Sequence, residues 1–160
     1  MDRISQIDTF CRYNQVSRET INGLKIFENH LIESNKELNL VGKSTIKDIW
    51  HRHFLDSYQV IDFIDKNDKT AMDLGSGAGF PGIILALAAK ERKIDIKINL
   101  LEKSKKKSIF LNKIIRKLKL NAEVINQDLM IKNFELEEDV FLARAFKPLP
   151  VILELIHSNA

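Results

Sequence analysis

A glycine-rich turn between an apolar strand and an apolar helix constrains the fold more than any other feature of this sequence. Residues 70–89 read TAMDLGSGAGFPGIILALAA, with glycines at the alternate positions Gly75, Gly77 and Gly79. Glycine accepts a positive φ, and its missing Cβ lets a ligand approach the backbone. The turn leads into a helix N-terminus, where free N–H groups and the helix dipole favour negative charge. The stretch therefore predicts a site for a nucleotide-like cofactor.

Strands and helices alternate after this turn. Beyond the strand that ends near Leu74, the pattern predicts strands at 95–102, 122–126 and 138–145, a helix from the N-cap Ser104 to about Leu118, and a helix from Leu149 to Ile156. This order favours an α/β, Rossmann-like fold with a mostly parallel, doubly wound sheet. Such sheets bind ligands at the carboxyl ends of their strands. Those ends carry Gly75, Glu102, Asp128 and Arg144.

The first 64 residues predict helices that cap this sheet. We expect a short helix with one face formed by Ile4, Ile7, Phe10 and Cys11, then a helix N-capped by Ser17 with the buried stripe Ile21, Leu24, Phe27, Leu31 and Ile32. Residues 45–48 (TIKD) resemble a capping box that opens a third helix, with Ile49, Phe54, Tyr58, Ile61 and Ile64 inward. The chain is thus expected to comprise an N-terminal helical region, 1–64, packed on a Rossmann-like domain, 65–160.

Composition argues against several other classes of protein. A hydrophobic content of 44% and a charged content of 29% are typical of soluble globular proteins. The single cysteine, Cys11, excludes an internal disulfide and a thiolate zinc cluster and suits a reducing cytosol. No apolar run approaches the roughly 20 residues that span a bilayer, and the N-terminus lacks a signal-peptide pattern. We expect a cytoplasmic monomer with no metal and no membrane contact.

The position of the glycines relative to the strand favours S-adenosyl-L-methionine over a dinucleotide. Residues 73–79 (DLGSGAG) follow the Asp-x-Gly-x-Gly-x-Gly pattern of class I methyltransferases. Residues 77–82 also match G-x-G-x-x-G, but that match begins two residues past the strand end, where a dinucleotide motif needs its first glycine. Pro81 removes an N–H donor as well, and the Lys and Ser/Thr of a P-loop are absent.

Two acidic residues follow the second and third predicted strands. Glu102 stands where a carboxylate accepts hydrogen bonds from ribose hydroxyls, and Asp128 is a candidate acceptor for the adenine amino group. The alternatives are a solvated carboxylate beside Lys103 and an ordinary loop aspartate. These positions suit either cofactor, because both contain a ribose.

Five stretches together resemble one family. They are residues 38–41 (LNLV), 52–57 (RHFLDS), 73–82 (DLGSGAGFPG), 101–104 (LEKS) and 143–146 (ARAF). Their order and spacing, over about residues 17–156, are similar to those of the bacterial 16S ribosomal RNA guanine-N7 methyltransferase family, also called glucose-inhibited division protein B. The resemblance implies transfer of methyl from S-adenosyl-L-methionine, with S-adenosyl-L-homocysteine as product, to N7 of one guanosine of the small ribosomal subunit.

The resemblance also implies particular contacts. The cofactor contacts of the family fall on Gly75, Phe80, Met130, Ile131 and Arg144. The family often carries Ala-Glu where this chain has Met130-Ile131, which leaves a role through backbone or adenine packing. It also has strands beyond the point that Ala160 reaches, so we expect C-terminal strands to be missing and the sheet to have a free edge.

The chemistry of methyl transfer asks little of the protein beyond orientation. Guanine N7 carries a free lone pair, so no general base is expected. Arg144 is the candidate catalytic side chain, which orients the substrate at guanine O6 or touches the methionine carboxylate; the alternative is an arginine paired with Glu102 or Asp73. Phe80 and Phe146 are candidates for stacking on adenine or the target base, or for plain core.

A basic run follows the second strand. Residues 103–119 contain eight lysines and arginines and no acidic residue, which favours contacts with RNA phosphates over a merely solvated face. The RNA-binding candidates are Lys103, Lys105, Lys106 and Lys107, with Arg52. Arg52 and Asp56 also have the spacing of a helix-surface ion pair. His51 and His53 stand two residues apart and do not face each other on a helix, which argues against a metal site.

The sequence leaves other functions open. One is a class I methyltransferase that acts on another RNA, a small molecule or a protein, which would not need the basic run. Another is a non-catalytic RNA-binding module in which the glycine turn is structural.

Overall fold

A four-stranded parallel sheet organises the molecule. The computed structural model describes residues 2–130 and 135–159. The strands are β1 (Thr70–Leu74), β2 (Lys97–Leu101), β3 (Ala122–Ile125) and β4 (Val140–Ala143), in the order β3-β2-β1-β4. All three strand pairs are parallel. The order confirms the predicted α/β, Rossmann-like sheet, although the strands are shorter than the predicted ranges.

Helices cover both faces of the sheet. The helices are α1 (Arg3–Tyr13), α2 (Arg18–Leu38), the single turn α3 (Asp56–Tyr58), α4 (Gly82–Arg92), α5 (Lys105–Leu118) and α6 (Leu149–Asn159). The main core joins α4 and α5 to the sheet and to the N-terminal helices, and a smaller apolar cluster joins α6 to the opposite face. Residues 82–89 of α4 are buried all round because α2 and α3 pack on its outer side, which explains why this helix is apolar on every face.

The predicted helix caps at Ser17 and Ser104 are confirmed. The Ser17 side chain accepts a hydrogen bond from Thr20 N at 3.2 Å, and the Ser104 side chain accepts one from Lys107 N at 3.5 Å. Leu24, Phe27 and Leu31 of the predicted α2 stripe are buried. The predicted first helix is confirmed as α1, although Ile4 and Cys11 of its expected face are exposed. Ile109 of α5 is exposed as well. The buried face of α5 contains Phe110 instead of Ile109.

The predicted capping box at residues 45–48 was also wrong. Residues Lys43–Asp48 form a 3-10 helix, Trp50–Leu55 form a π-helical turn, and Gln59–Phe63 form a second 3-10 segment after α3. The Thr45 hydroxyl donates to Gly42 O at 2.8 Å and does not cap a helix. The predicted inward face is nevertheless present, since Ile49, Phe54, Tyr58 and Ile61 are each 1% exposed or less.

A buried glutamate fixes the N-terminal helices to this irregular segment. Glu28 of α2 is 3% exposed, and its Oε2 accepts hydrogen bonds from Trp50 Nε1 at 2.8 Å and from Arg3. Phe10 of α1 packs edge-on against Trp50 and Tyr58. Within the described residues, no helix is both long and apolar enough to cross a bilayer.

Gly82, at the start of α4, allows the closest approach of that helix to the sheet. A Cβ at this position would lie 2.6 Å from Asp73 Oδ2 and 2.8 Å from Leu100 Cδ2. We expect Gly82→Ala to lower the free energy of unfolding by about 1–3 kcal/mol through overpacking, measured by urea denaturation. Gly42→Ala is the matched control, because the nearest atoms to its Cβ would be 3.9 Å away; equal losses in the two variants would contradict this account.

Candidate active site

A cleft of about 470 Å³ opens at the carboxyl ends of the strands. The glycine turn, the end of β2, residues 127–130 and residues 144–147 form its walls, and Leu40, Val41, Gly42 and His53 line one side. Its volume is within the usual range for small-molecule sites. The cleft therefore brings together residues from every predicted strand end.

The glycine turn has the backbone that the sequence predicts. Gly75, Gly77 and Gly79 have φ values of 71°, 55° and 91°. A Cβ on Gly75 would overlap the ring of Phe146, whereas a Cβ on Gly77 would meet only Gly75 O, at 3.7 Å. Gly75 thus makes room for a side chain of the protein itself, and the space above Gly77 is open to a ligand.

Glu102 ties the glycine turn to the start of α5. Its Oε2 accepts a hydrogen bond from Gly77 N at 2.9 Å, and its Oε1 accepts one from Ser104 N at 2.7 Å. The side chain is 6% exposed, so it is not the solvated carboxylate of the alternative interpretation. A carboxylate has about four acceptor sites, and two remain for hydroxyl donors in the cleft.

Asp128 and Met130 lie on the opposite wall. Asp128 Oδ1 accepts from Met130 N at 3.1 Å, and its Oδ2 lies 3.6 Å from Lys103 Nζ. Met130 is 55% exposed at the rim, and an exposed apolar side chain there is available to pack on a planar ligand. Ile131, the other predicted contact of this segment, lies outside the described residues.

Asp73 lies beneath the turn, fully buried. Its Oδ2 accepts from Gly82 N at 3.0 Å, while its Oδ1 is buried without a hydrogen-bond partner among the described residues. Burial raises the pKa of this carboxyl to about 7, against the opposing effect of the Gly82 hydrogen bond. An orphaned acceptor below the turn is able to bind one further donor.

Arg144, directly after β4, is bound by a single segment of the chain. Its Nη1 donates to Ser57 Oγ at 3.2 Å and lies 3.2 Å from Asp56 Oδ2, and its Nη2 donates to Arg52 O at 3.0 Å. Asp56 therefore pairs with Arg144, and the predicted pair between Arg52 and Asp56 was wrong. The predicted alternative partners of Arg144, Glu102 and Asp73, make no ion pair with it either.

His53 is the fourth partner of Arg144. Arg144 Nη2 lies 2.9 Å from His53 Nδ1, which must be the acceptor because a guanidinium nitrogen only donates. His53 Nε2 is 2.9 Å from Thr45 Oγ1, and Thr45 donates onward to Gly42 O. Burial, and then the positive charge of Arg144, lowers the pKa of His53 to about 4. The imidazole is therefore neutral, with its proton on Nε2.

Phe80 and Phe146 complete the cleft. Phe80 is 6% exposed and stacks on His53, with ring centroids 4.9 Å apart; it also packs against Phe27 and Phe54. Arg144 lies over the Phe80 ring at 5.8 Å. Phe80 is therefore mainly a core residue with one edge in the cleft, while Phe146 seals the turn at Gly75.

The basic candidates lie beside this cleft. Lys103 and Lys107 line it, Lys105 and Lys106 are exposed on α5, and Arg52 is exposed on the segment that binds Arg144. Among the described residues, only Lys103 of this group has an ion-pair partner, Asp128. The sequence reasoning missed Leu40, Val41, Gly42 and Thr45 as parts of the site. The signal for them was the family resemblance, because Leu40 and Val41 belong to the stretch 38–41 and Gly42 and Thr45 follow it.

Comparisons with known proteins agree with the resemblance. The family model described as rRNA small subunit methyltransferase G matches residues 20–159. Ribosomal RNA small subunit methyltransferase G of Pelagibacter ubique (strain HTCC1062) is 40% identical over 161 residues, which cover 99% of this chain and 75% of the relative. The protein of the same name from Rickettsia felis (strain ATCC VR-1525 / URRWXCal2) is 39% identical over 142 residues, which cover 89% and 70%.

Solved structures agree on the fold. A mutant of MtNAS in complex with S-adenosylmethionine has a TM-score of 0.52 at 17% identity, covering 86% of this chain and 55% of that protein. Coclaurine N-methyltransferase bound to N-methylheliamine and SAH has a TM-score of 0.53 at 14% identity, covering 96% and 53%. The chain spans about half the length of each, and at these identities the likeness concerns the fold alone.

The half-buried imidazole of His53 and the buried carboxyl of Asp73 give the stability opposite dependences on pH. The pKa of His53 is lowered to about 4 in the folded chain, so between about pH 6.5 and 4 the unfolded chain binds a proton that the folded chain does not. The contribution of His53 to the free energy of unfolding therefore falls as the pH falls. The raised pKa of Asp73 acts the other way, since the folded chain keeps a proton that the unfolded chain releases between about pH 4 and 7.

Replacing His53 separates the two effects. We expect the difference in free energy of unfolding between wild type and His53→Asn, measured by urea denaturation, to shrink as the pH is lowered from 6.5 to 4. His51→Asn, an exposed neighbour, is the matched control and should follow the wild-type curve. A difference that is the same at every pH would contradict a neutral, half-buried imidazole with a lowered pKa.

Proposed function

This chain belongs to the rRNA small subunit methyltransferase G family, and we propose that it transfers the methyl group of S-adenosyl-L-methionine to N7 of a guanosine in 16S ribosomal RNA. The observation that carries the proposal is the meeting, at one cleft, of an open glycine turn, a buried ribose-acceptor carboxylate and an arginine whose charge faces the same space. The acceptor is one nucleotide of the small ribosomal subunit, and S-adenosyl-L-homocysteine is the product.

The residues of the cleft fit this cofactor. Glu102 keeps acceptor capacity for the two ribose hydroxyls beside the open space over Gly77. Asp128 is assigned to the adenine amino group, with Met130 and the edge of Phe80 as packing surfaces. When bound, the cofactor supplies a methyl group activated by its sulfonium. The protein's share is to hold the acceptor in line with the sulfur–methyl bond, which is a matter of orientation.

The absence of a free base supports N7 as the acceptor atom. Among the described residues that line the cleft, His53 is the only imidazole, and both of its nitrogens are engaged, Nδ1 by Arg144 and Nε2 by Thr45. Both oxygens of Glu102 accept backbone hydrogen bonds, and its remaining acceptor sites are assigned to the ribose. Asp128 lies 3.6 Å from Lys103 Nζ and is assigned to the adenine amino group. An amine or carbon acceptor has to lose a proton, whereas guanine N7 presents a lone pair. The geometry therefore suits an acceptor that needs no deprotonation.

Arg144 is assigned to orientation of the substrate. Both of its terminal nitrogens are occupied by the segment 52–57, so its Nε–H and its positive charge are what it offers to the cleft. A charge-assisted hydrogen bond from Nε to guanine O6 or to the methionine carboxylate fits that geometry better than a bidentate fork. Arg144 would then fix the segment 52–57 and the ligand at once.

The basic residues are assigned to the RNA backbone. Lys103, Lys105, Lys106 and Lys107 surround the start of α5 at the mouth of the cleft, and Arg52 is exposed across from them. Phosphate contacts of this kind position a nucleic acid without reading its sequence. We further propose that residues 1–64 act as a helical region that supports the RNA-binding side and that 65–160 form the cofactor-binding domain. This division, like a cytoplasmic monomer without metal, is part of the proposal.

The decisive experiment is methylation of small ribosomal subunits with labelled S-adenosyl-L-methionine, followed by mapping of the modified base. We expect label at N7 of a single guanosine. Arg144→Lys should lower the rate about 10- to 100-fold, as expected for a lost charge-assisted hydrogen bond of about 1.5–3 kcal/mol. Calorimetry of cofactor binding and thermal unfolding of the variant check that the cleft is intact, and Lys66→Ala, an exposed lysine of the 65–69 turn, is the control.

Two results would refute the assignment. Methylation of a small molecule or a protein, with 16S ribosomal RNA left unmodified in naked and assembled form, would favour a class I methyltransferase of other specificity. RNA binding without any binding of S-adenosyl-L-methionine would favour a non-catalytic RNA-binding module.

A further inference from the structure

A second cleft, of about 520 Å³, lies at the opposite end of the sheet from the candidate active site. It opens where the C-terminal ends of α4 and α5 meet the first half of α2. Helices of a parallel α/β sheet run back against the strands, so these helix ends lie near the amino ends of β2 and β3, the strands that follow α4 and α5. Nothing in the proposed methyl transfer uses this cleft.

Lysines dominate the charge of this second cleft. Lys90, Lys93, Lys117 and Lys119 line it together with two carboxylates, Glu19 and Glu91. Glu19 lies 3.1 Å from Lys90 Nζ. Glu91 accepts hydrogen bonds from Ser17 N at 2.9 Å and from Ser17 Oγ at 2.6 Å, and another from Thr20. The remaining three lysines, Lys93, Lys117 and Lys119, have no ion-pair partner within the described ranges.

Two of those lysines occupy a backbone conformation that favours glycine. Lys93 ends α4 with φ 56°, and Lys119 ends α5 with φ 51°. The two helix ends have the same hydrogen-bond pattern, since Ile94 N donates to Ala89 O at 2.9 Å and Leu120 N donates to Ile115 O at 3.1 Å. Glycine is the usual residue after a helix in this geometry. Lysine at both helix ends places two ammonium groups at one cleft. Each lysine pays for this position with backbone strain, because a residue with a Cβ rarely adopts a positive φ. Backbone strain of this kind is concentrated at functional sites.

A basic stripe joins the second cleft to the candidate active site. Lys106, Lys113 and Lys117 stand at i, i+7 and i+11 on α5 and share one side of the helix, spanning about 17 Å at 1.5 Å per residue. His30 of α2 stacks on Phe110 beside this stripe. Its pKa is lowered, first by burial and then by Lys117 and Lys113, so these two lysines lie close to α2. The carboxylate of Glu33 acts on the same imidazole in the opposite direction. Within α5 itself, positive charge therefore extends from one cleft toward the other with no acidic residue between.

We propose that the second cleft is a phosphate-binding site for the RNA substrate, remote from the methylated base, with Lys93, Lys117 and Lys119 as its ligands. The RNA backbone would then follow the outer side of α5 from one end of the sheet to the other. This inference rests on the proposed function, because it assumes an RNA substrate. An acidic protein surface is the competing occupant, but the charge stripe that leads from the active site favours a polyanion that reaches both clefts.

The test compares two sets of lysine variants of the full chain. Binding of naked 16S ribosomal RNA is measured at several salt concentrations for wild type, for Lys93→Gly/Lys119→Gly and for Lys105→Ala/Lys106→Ala/Lys107→Ala. We expect the glycine double variant to bind about tenfold more weakly and to lower the salt-dependence slope by roughly one to two, the effect of losing one or two phosphate contacts. Its cofactor affinity should be unchanged, and its melting temperature unchanged or higher, since glycine relieves the left-handed backbone. Lys66→Ala is the control for loss of an unrelated charge.

The outcomes separate this proposal from the proposed function. Unchanged RNA affinity and slope in the glycine variant, with a loss in the triple variant, would overturn the second site and leave the methyltransferase assignment intact. Failure of the wild-type chain to bind RNA would overturn both. Weaker binding to assembled small subunits with normal binding to naked RNA would assign the second cleft to a ribosomal protein and would overturn the phosphate assignment.

Discussion

The guanidinium of Arg144 binds four groups of one irregular helical segment, and the geometry of the candidate active site depends on that contact. Arg144 follows the edge strand β4, whereas Arg52, His53, Asp56 and Ser57 belong to the helical layer that precedes β1. Because His53 also stacks on Phe80 and hydrogen-bonds to Thr45, the same contact extends to the glycine turn and to the loop at Gly42. The hydrogen bonds run in one direction, from arginine to imidazole to hydroxyl to carbonyl, which fixes the tautomer of the imidazole and the direction in which the hydroxyl donates.

A second contact holds the other wall of the cleft. Glu102 accepts hydrogen bonds from Gly77 and Ser104, so one buried carboxylate sets both the shape of the glycine turn and the start of α5. The start of α5 carries the lysines assigned to RNA. The proposed cofactor site and the proposed RNA-binding lysines are therefore joined through the same side chain.

The sequence predicted what depends on local chemistry and missed what depends on tertiary partners. The caps at Ser17 and Ser104 and the positive φ of Gly75 follow from the residue types alone. The ion-pair partner of Asp56 does not follow from residue types, because helical spacing indicated Arg52. The partner in the structure is Arg144, which follows the distant strand β4. The π-helical turn at Trp50–Leu55 was missed for a related reason, since Trp50 packs on Phe10 of α1 and donates to Glu28 of α2, and a local sequence pattern does not specify such partners. The family resemblance identified five separate stretches of sequence, and in the structure residues from each of them line the same cleft.

The most direct test of this account is nitrogen NMR of the His53 ring in wild type and in Arg144→Gln. The account predicts a neutral imidazole with its proton on Nε2 in the wild type and a pKa well below the ordinary value of about 6.5. In the variant the pKa should rise, because the adjacent positive charge is removed while burial remains. A proton on Nδ1, or the same pKa in both proteins, would contradict the claim that Arg144 and His53 organise the site.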